Sequence, residues 1–243
     1  MRTAALYDIH GNLPALEAVL LDVAAARVDR IVVGGDVLPG PMPREALDRL
    51  FALDIPTTFI SGNGEAAVLA EQEGRDPGVP PQFRALVTWV AAQITDEHVR
   101  RIASWPKTAR VGDVLFCHAT PRSDNEIFLR TTDEARLVPI FESAGAPMVV
   151  CGHTHMQFDR TIGGVRVINA GSVGMPFGEP GACWLLLGEE VELRRTSYDR
   201  ATAADLVRAT RYPSAKEFAE RSILAPPTEQ DMIETFSKAE LRR

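Results

Sequence analysis

The chain has 243 residues, of which 45% are hydrophobic and 24% are charged, and this balance excludes disordered and fibrous proteins. Its formal net charge of -7 argues against broad electrostatic binding to DNA or anionic membranes, so we expect no stable nucleic-acid partner and no membrane association. The three cysteines have no paired spacing and are expected to be reduced core residues. The apolar run after Met1 is too short for a signal peptide, and we therefore expect a cytoplasmic protein.

The first part of the sequence alternates strand-like and helical segments. Apolar runs at 3–7, 30–33 and 57–60 predict buried strands, and leucines at helical spacing predict a helix after the first strand. A second helix is predicted at about 44–53. Each strand ends in a polar turn that contains glycine and an Asp or Asn residue. This repetition of strand, turn and helix predicts a parallel, layered α/β sheet.

The pattern changes in the second part of the sequence. Helical spacing predicts a cap or insertion at about 74–105, in which His98 is expected to lie at the surface, and a further helix at 131–143. Hairpins are predicted at 107–117, 158–169 and 183–198, and they imply a second, more antiparallel sheet. A peripheral helical tail is predicted at about 201–243. We expect residues 1–243 to form a single domain.

Potential metal ligands follow most of the predicted strands. They are Asp8, His10, Asp36, Asn63, His118, His153 and His155, and they include four of the five histidines. Because ligands bind at the carboxyl ends of strands in α/β sheets, these side chains can converge on one cleft. Singly, Asp8, Asp36 and Asn63 fit ordinary turns equally well, but turns do not explain why the histidines follow strands. Oxygen and imidazole donors together favour Mn, Fe, Zn, Co or Ni over Mg or Ca alone.

Five short blocks occur in order along the chain: Asp8-Ile9-His10, Gly35-Asp36, Gly62-Asn63, His118 and Gly152-His153-Thr154-His155. In these blocks the sequence resembles the calcineurin-like metallophosphoesterases, and it is most similar to the small prokaryotic phosphodiesterases among them. The resemblance implies a four-layer α/β/β/α sandwich of two mixed sheets flanked by helices, followed here by the helical tail. It also implies two divalent transition-metal ions, with Mn²⁺ expected and Fe, Zn, Ni or Co as alternatives.

The resemblance implies a role for each block residue. Asp8, His10 and His155 would hold one metal ion, Asn63, His118 and His153 the other, and Asp36 would bridge them. Asp36, Asn63 and His118 would also take part in catalysis, in which a metal-bridging hydroxide attacks a small phosphoester or nucleotide. Asn12 and Arg122 are candidate substrate contacts, although Asn12 also fits a helix cap and Arg122 a solvated surface charge.

Several functions stay open alongside the leading hypothesis of a phosphodiesterase. One alternative is an asymmetrical dinucleoside polyphosphate hydrolase, and another is a non-catalytic scaffold of the same fold, which loss of metal ligands would mark. The longer nucleases of the family are disfavoured by the net acidity and the length of the chain. A nucleophile elbow at Ser172 is rejected because its first glycine is missing and no histidine follows it.

Gly64 stands where many members of the family carry a histidine that protonates the leaving group. Glu65 is its neighbour, but we expect that carboxylate to be exposed and ionised. Without a general acid, which contributes about 10²–10⁴-fold, catalysis depends on a leaving group that departs as a stable anion. The sequence therefore predicts a preference for aryl esters or nucleotide anhydrides over alkyl monoesters.

Overall fold

The computed structural model describes residues 1–241, and its strands form two five-stranded sheets. The first sheet has the order β10 (Val191–Thr196), β9 (Ala182–Leu187), β1 (Thr3–Leu6), β2 (Arg30–Val33) and β3 (Thr57–Phe59). The second has the order β4 (Thr108–Val111), β5 (Val114–Cys117), β6 (Met148–Cys151), β8 (Val165–Asn169) and β7 (Phe158–Ile162). Each sheet contains parallel and antiparallel pairs, so both are mixed, as predicted.

The helices of this part of the chain are α1 (Leu13–Ala25), α2 (Pro43–Phe51), α3 (Asn63–Gln72), α4 (Pro81–Ala91), α5 (Asp96–Ala103), α6 (Glu134–Phe141), α7 (Arg200–Arg208), α8 (Ala215–Phe218) and α9 (Glu229–Phe236). Short 3₁₀ turns follow at Glu142–Ala144 and Ser237–Ala239, and Ala219–Leu224 is a π-helical segment. None of these helices, within residues 1–241, is both long and apolar enough to cross a membrane.

Alternating side chains of the strands build the four layers. In β1, Ala4 and Leu6 pack against helices, whereas Ala5 faces the second sheet, because successive side chains of a strand point to opposite faces. Phe116 of β5 and Val150 of β6 meet Ala5 in the core between the sheets. Helix α6 covers the outer face of the second sheet. The arrangement is the predicted α/β/β/α sandwich.

The hairpin of β9 and β10 corrects one expectation. The sequence placed it in the second sheet, but β9 pairs with β1 and extends the first sheet. Every residue of β9 is buried, with Leu185 facing the core between the sheets and Trp184 facing the helices. A strand that is apolar on both faces is stable only in such a doubly covered position.

The predicted cap and tail pack in different ways. In the cap region, His98 is buried rather than at the surface, and its Nε2 lies 2.8 Å from Asp48 Oδ1 of α2. In the tail, Val207 of α7 and Phe218 of α8 belong to the core of the first sheet, so these helices are not peripheral. No residue of α9 is buried by the described chain, and α9 alone fits the description of a peripheral helix.

Candidate metal centre

The seven predicted ligands lie at the carboxyl ends of strands from both sheets. Asp8 and His10 follow β1, Asp36 follows β2, and Asn63 follows β3 as the first residue of α3. His118 directly follows β5, whereas His153 and His155 lie in the turn after β6. Since both sheets present these ends on the same side of the sandwich, the side chains converge on one centre.

The first candidate cluster consists of Asp8, His10 and His155, whose ligand atoms all lie within 4.8 Å of one another. The Nε2 atoms of His10 and His155 are 3.2 Å apart, and His155 Nε2 is 3.3 Å from Asp8 Oδ1. Asp8 Oδ1 is buried, and among the described residues no hydrogen bond reaches it. A buried carboxylate oxygen beside two imidazole nitrogens is a favourable position for a cation.

The second candidate cluster consists of Asp36, His118 and His153, and it satisfies the same 4.8 Å limit. Asn63 Oδ1 lies beside it, 3.1 Å from His118 Nε2. Asp36 also faces the first cluster, because its Oδ2 is 3.9 Å from His10 Nε2 while its Oδ1 is 3.5 Å from His118 Nε2. The carboxylate of Asp36 therefore lies between the two clusters.

Backbone carbonyl groups fix the orientation of three of the imidazole rings. The Nδ1 atoms of His10, His118 and His155 lie 3.1, 2.9 and 2.9 Å from the carbonyl oxygens of Pro39, Gly34 and Met175, respectively. A carbonyl oxygen only accepts hydrogen bonds, so each Nδ1 carries a proton and donates it. The Nε2 atom of each ring is thereby directed at the centre, where a neutral imidazole offers its lone pair.

The charges at the centre favour a cation between the carboxylates. Burial disfavours the ionised form of Asp36, yet His118 and His10 hold its pKa below the ordinary value. Burial also disfavours a charged imidazole at His118, but Asp36 and Asp8 raise its pKa to about 10, so this ring would release a proton on binding a metal ion. At His153, burial and the neighbouring His118 lower the pKa to about 4, which keeps this ring neutral and able to act as a ligand.

The backbone is strained at the same positions. Among residues 1–241, seven residues other than glycine have a positive φ, and five of them are Asp8, His10, Asp36, His153 and His155. Each such conformation costs on the order of 1–3 kcal/mol and persists only where the surrounding structure imposes it. The concentration of this strain in the predicted ligands is what a candidate functional site would show.

Comparison with known proteins agrees with this geometry. The model of the calcineurin-like phosphoesterase superfamily domain matches residues 1–190. The chain belongs to the calcineurin-like phosphoesterase superfamily. The matched region contains both sheets except β10, and it includes every residue of the two candidate clusters.

Relatives of this superfamily member cover most of its length. A protein of Methanocaldococcus jannaschii is 26% identical over 238 residues, and the match covers 86% of this chain and 93% of that protein. The crystal structure of a metallophosphoesterase from Sphaerobacter thermophilus is 28% identical, has a TM-score of 0.74, and the match covers 90% of this chain and 99% of that one. A protein from Pyrococcus horikoshii OT3 has the same fold, with 18% identity, a TM-score of 0.75, and coverage of 93% and 99%.

The donor set of this calcineurin-like centre fits two divalent transition-metal ions. Four imidazoles, two carboxylates and one amide oxygen are a mixed nitrogen and oxygen set, with no thiolate among the candidate ligands. The close approach of His10 Nε2 to His155 Nε2 places two lone pairs opposite each other, which a shared cation would stabilise. The unpartnered Asp8 Oδ1 would gain its missing partner in the same way.

Glycines beside the ligands allow the backbone to approach the carboxylates. A Cβ atom on Gly152 would lie 2.4 Å from Asp8 Oδ2, and one on Gly62 would lie 2.2 Å from Asp36 Oδ1. At Gly64 a Cβ atom would meet the carbonyl oxygen of Leu38 at 2.0 Å. Position 64 therefore has no room for any side chain in this backbone, including the histidine expected there from the family resemblance.

Glu65 corrects the expectation of an exposed carboxylate. It is fully buried, and it accepts hydrogen bonds from the backbone N–H groups of Asp36, Leu38 and Gly62 at 2.8, 3.0 and 2.8 Å. Burial and the charge of Asp36 raise its pKa to about 7, although these backbone donors act in the opposite direction. Its place at the third position of α3, where an acidic residue bonds back to the N-cap, was the signal for this role.

The predicted substrate contacts already have protein partners. Asn12 is buried and caps α1, since its Oδ1 accepts from Ala15 N while its Nδ2 donates to the carbonyl of Gly174. Arg122 binds the buried Glu126 through Nε at 3.0 Å and Nη2 at 2.5 Å. Ser172 is no nucleophile here, because its hydroxyl donates to Asp8 O and accepts from Met175 N.

Proposed function

We propose that this chain is a phosphodiesterase that uses two divalent cations to hydrolyse a small phosphoester or nucleotide. The observation that carries this proposal is the convergence of seven ligand side chains with Asp36 between the clusters. Asp8, His10 and His155 would hold one cation, Asn63, His118 and His153 the other, and Asp36 would contact both. Such a centre suits Mn²⁺, the cation that we propose, and equally admits Fe, Zn, Ni or Co.

The chain itself would position the reacting groups. Two bound cations supply Lewis-acid activation of water and neutralise the charge that develops on the phosphoryl group. The carbonyls of Pro39, Gly34 and Met175 hold three imidazoles in the orientation that such cations require. Glu65 accepts hydrogen bonds from the backbone N–H groups of Asp36 and Leu38, so it would act as a positioning residue for Asp36.

The substrate would also contact residues at the rim of the centre. Arg122 follows His118 closely in sequence, and its side chain is 38% exposed. Since Nε and Nη2 bind Glu126, a phosphate oxygen would have to use Nη1. We expect Arg122→Ala to raise KM severalfold without changing metal content, whereas an unchanged KM would remove Arg122 from the binding site. Asn12 would contribute indirectly, by ordering the start of α1 next to His10.

An asymmetrical dinucleoside polyphosphate hydrolase is the second candidate. The observation that favours it is the lack of space for a side chain at Gly64. A histidine that would protonate a poor leaving group does not fit there. A nucleotide leaves from an anhydride as a stable anion and needs no such proton. The scaffold hypothesis is weaker, because scaffolds of this fold would lack ligands that are all present in this chain. Three buried free cysteines support the proposal of a reducing, cytoplasmic location.

The proposed function is tested by removing and restoring the metal. The purified protein, treated with a chelator and dialysed, should lose hydrolysis of an aryl phosphodiester and regain it with Mn²⁺. Asp36→Ala should lose at least 10²-fold in kcat/KM, because the two-metal arrangement stabilises both attacking and leaving oxygens and Asp36 contacts both sites. Activity that survives the chelator, or an Asp36→Ala variant as fast as the parent, would contradict the proposal.

A further inference from the structure

The C-terminal segment, residues 227–241, lies outside the region matched by the superfamily and contacts the rest of the chain on two sides. On one side Gly178 N donates to Pro227 O at 2.9 Å. On the other side the contacts are Glu229 with Arg130, Glu240 with Thr132 and Arg136, and Leu241 N with Ile127 O. The segment therefore joins the loop after Ser172 to residues 127–136, which lead into α6.

A row of aromatic rings connects this segment to a predicted metal ligand. The ring of Phe236, the last residue of α9, lies 6.0 Å from the ring of Phe177. Phe177 in turn stacks on His155, with centroids 5.3 Å apart and planes inclined by 20°. Offset stacking at this distance fixes the relative orientation of two rings. The C-terminal segment thus contacts the predicted ligand His155 through the ring of Phe177, while Ile233 of α9 lines a small pocket together with Thr154 and Met156.

Of the four imidazoles at the centre, His155 is the one that stacks on a phenylalanine among the described residues, and its ring also lies 5.0 Å from that of His10. Its Nδ1 is held by Met175 O, which belongs to the same loop as Phe177. That loop is tied to the centre by Ser172, whose hydroxyl bridges Asp8 O and Met175 N. One hydrogen bond leaves the ring free to tilt about the bond axis, and the flat face of Phe177 removes this freedom.

We propose that Phe236 and Phe177 are positioning residues for His155, so that the C-terminal segment completes the metal site formed by Asp8, His10 and His155. This inference rests on the proposed role of His155 as a metal ligand. The ion pairs of the segment are made with Arg130 and Arg136, which are not predicted ligands, so the row of rings is the contact that reaches His155. The second site, at His118 and His153, has no contact with this row of rings in the described residues.

The test measures metal affinity rather than activity. Mn²⁺ is titrated calorimetrically into the full-length, metal-stripped protein, which is expected to show two binding steps. Phe236→Ala should weaken one step about tenfold, within the range found when groups that orient metal ligands are removed, and leave the other step nearly unchanged. Phe177→Ala should weaken Mn²⁺ binding in the same step at least as much. The double variant Phe177→Ala/Phe236→Ala should bind Mn²⁺ no more weakly than Phe177→Ala alone. Phe236→Tyr, which keeps the ring, should bind as the parent does.

The controls separate this inference from the proposed function. Phe83→Ala removes a ring of the same kind that is 49% exposed on α4, and it should leave both steps unchanged. Because no residue of α9 is buried by the described chain, Phe236→Ala is expected to fold, and its melting temperature verifies this. A parent that binds no Mn²⁺ would contradict the proposed function. A parent with two steps and a folded Phe236→Ala variant with the same two affinities would contradict only the positioning role.

Discussion

Asp36 is the residue on which both candidate clusters depend, because its two carboxylate oxygens face different imidazoles. Two hydrogen bonds hold Asp36 in place. Gly64 N donates to Asp36 Oδ1 at 2.7 Å, and Asp36 N donates to the carboxylate of Glu65. The backbone at Asp36 is held at a φ of 51°, so the carboxylate is oriented at a conformational cost. A ligand that contacts two cations must be held in a fixed orientation by its neighbours.

Gly64 gives a prediction about the absence of a general acid. In Gly64→Ala, the added Cβ would meet Leu38 O at 2.0 Å and Asp36 Oδ1 at 2.9 Å, so the backbone between β2 and α2 must move. We expect a loss of about 1–3 kcal/mol in the free energy of unfolding and a clear loss of bound metal. Urea unfolding and metal analysis of the dialysed protein measure the two effects. Gly64→His should fail to supply a proton donor for the same reason.

Gly188 provides the matched control for Gly64. A Cβ atom there would have no neighbour nearer than 3.7 Å, which is an ordinary contact distance. Gly188→Ala should therefore leave stability and metal content near those of the parent. If Gly64→Ala behaved like Gly188→Ala, the approach of Leu38 O would not explain why the position lacks a side chain.

At the residue scale, the sequence predicts the convergence of the candidate ligands better than the residues that support them. Asp8, Asp36 and His118 could be placed close together because each follows an apolar strand that ends at the same edge of a sheet. Glu65 could not be placed in the same way, since its burial depends on the loop after β2 returning to the start of α3. Only its position relative to Gly62 indicated a capping role. Support residues depend on long-range packing that a local pattern does not contain.

At the scale of elements, the buried His98 connects α5 to α2. Its Nδ1 accepts from Thr95 N–H, so its Nε2 carries the proton that is donated to Asp48. His98→Ala would remove this hydrogen bond and leave a cavity beside Phe51. We expect the free energy of unfolding to fall by about 1–3 kcal/mol, while kcat and metal content stay unchanged because no predicted ligand is touched.

Urea unfolding of a second variant of the same helix supplies the comparison for His98. Arg100 is 72% exposed and pairs only with the neighbouring Glu97 in the described structure. Arg100→Ala should shift the unfolding midpoint much less than His98→Ala. If the two variants had equal unfolding midpoints, His98 would contribute no more to stability than an exposed side chain, as the sequence leads us to expect.

The sequence predicts where strands begin and end more closely than it predicts which strands pair. The predicted strand at 30–33 and the hairpin strands at 158–162 and 165–169 agree with β2, β7 and β8, because polar residues and glycine turns delimit each apolar run. The partner of β9 could not be predicted. Its pairing with β1 joins residues more than 170 positions apart, and only burial on both faces selects that place.

At the scale of the whole molecule, the missing general acid predicts how rate depends on the leaving group. For the Mn²⁺-loaded protein, log kcat plotted against leaving-group pKa should have a steep negative slope, since the departing oxygen receives no proton. Aryl phosphodiesters and nucleotide anhydrides should react much faster than alkyl esters. A flat series, with alkyl esters cleaved as readily as aryl ones, would show that another group supplies the proton.

Both sheets of this superfamily member bring their strand ends together, and we propose that they do so to hold two cations. Anomalous diffraction from a crystal grown with Mn²⁺, recorded on both sides of its absorption edge, tests it most directly. We expect two peaks about 3.5–4 Å apart, one among Asp8, His10 and His155 and one among Asn63, His118 and His153, with Asp36 in contact with both. A single peak, or peaks away from these side chains, would contradict the two-cation centre.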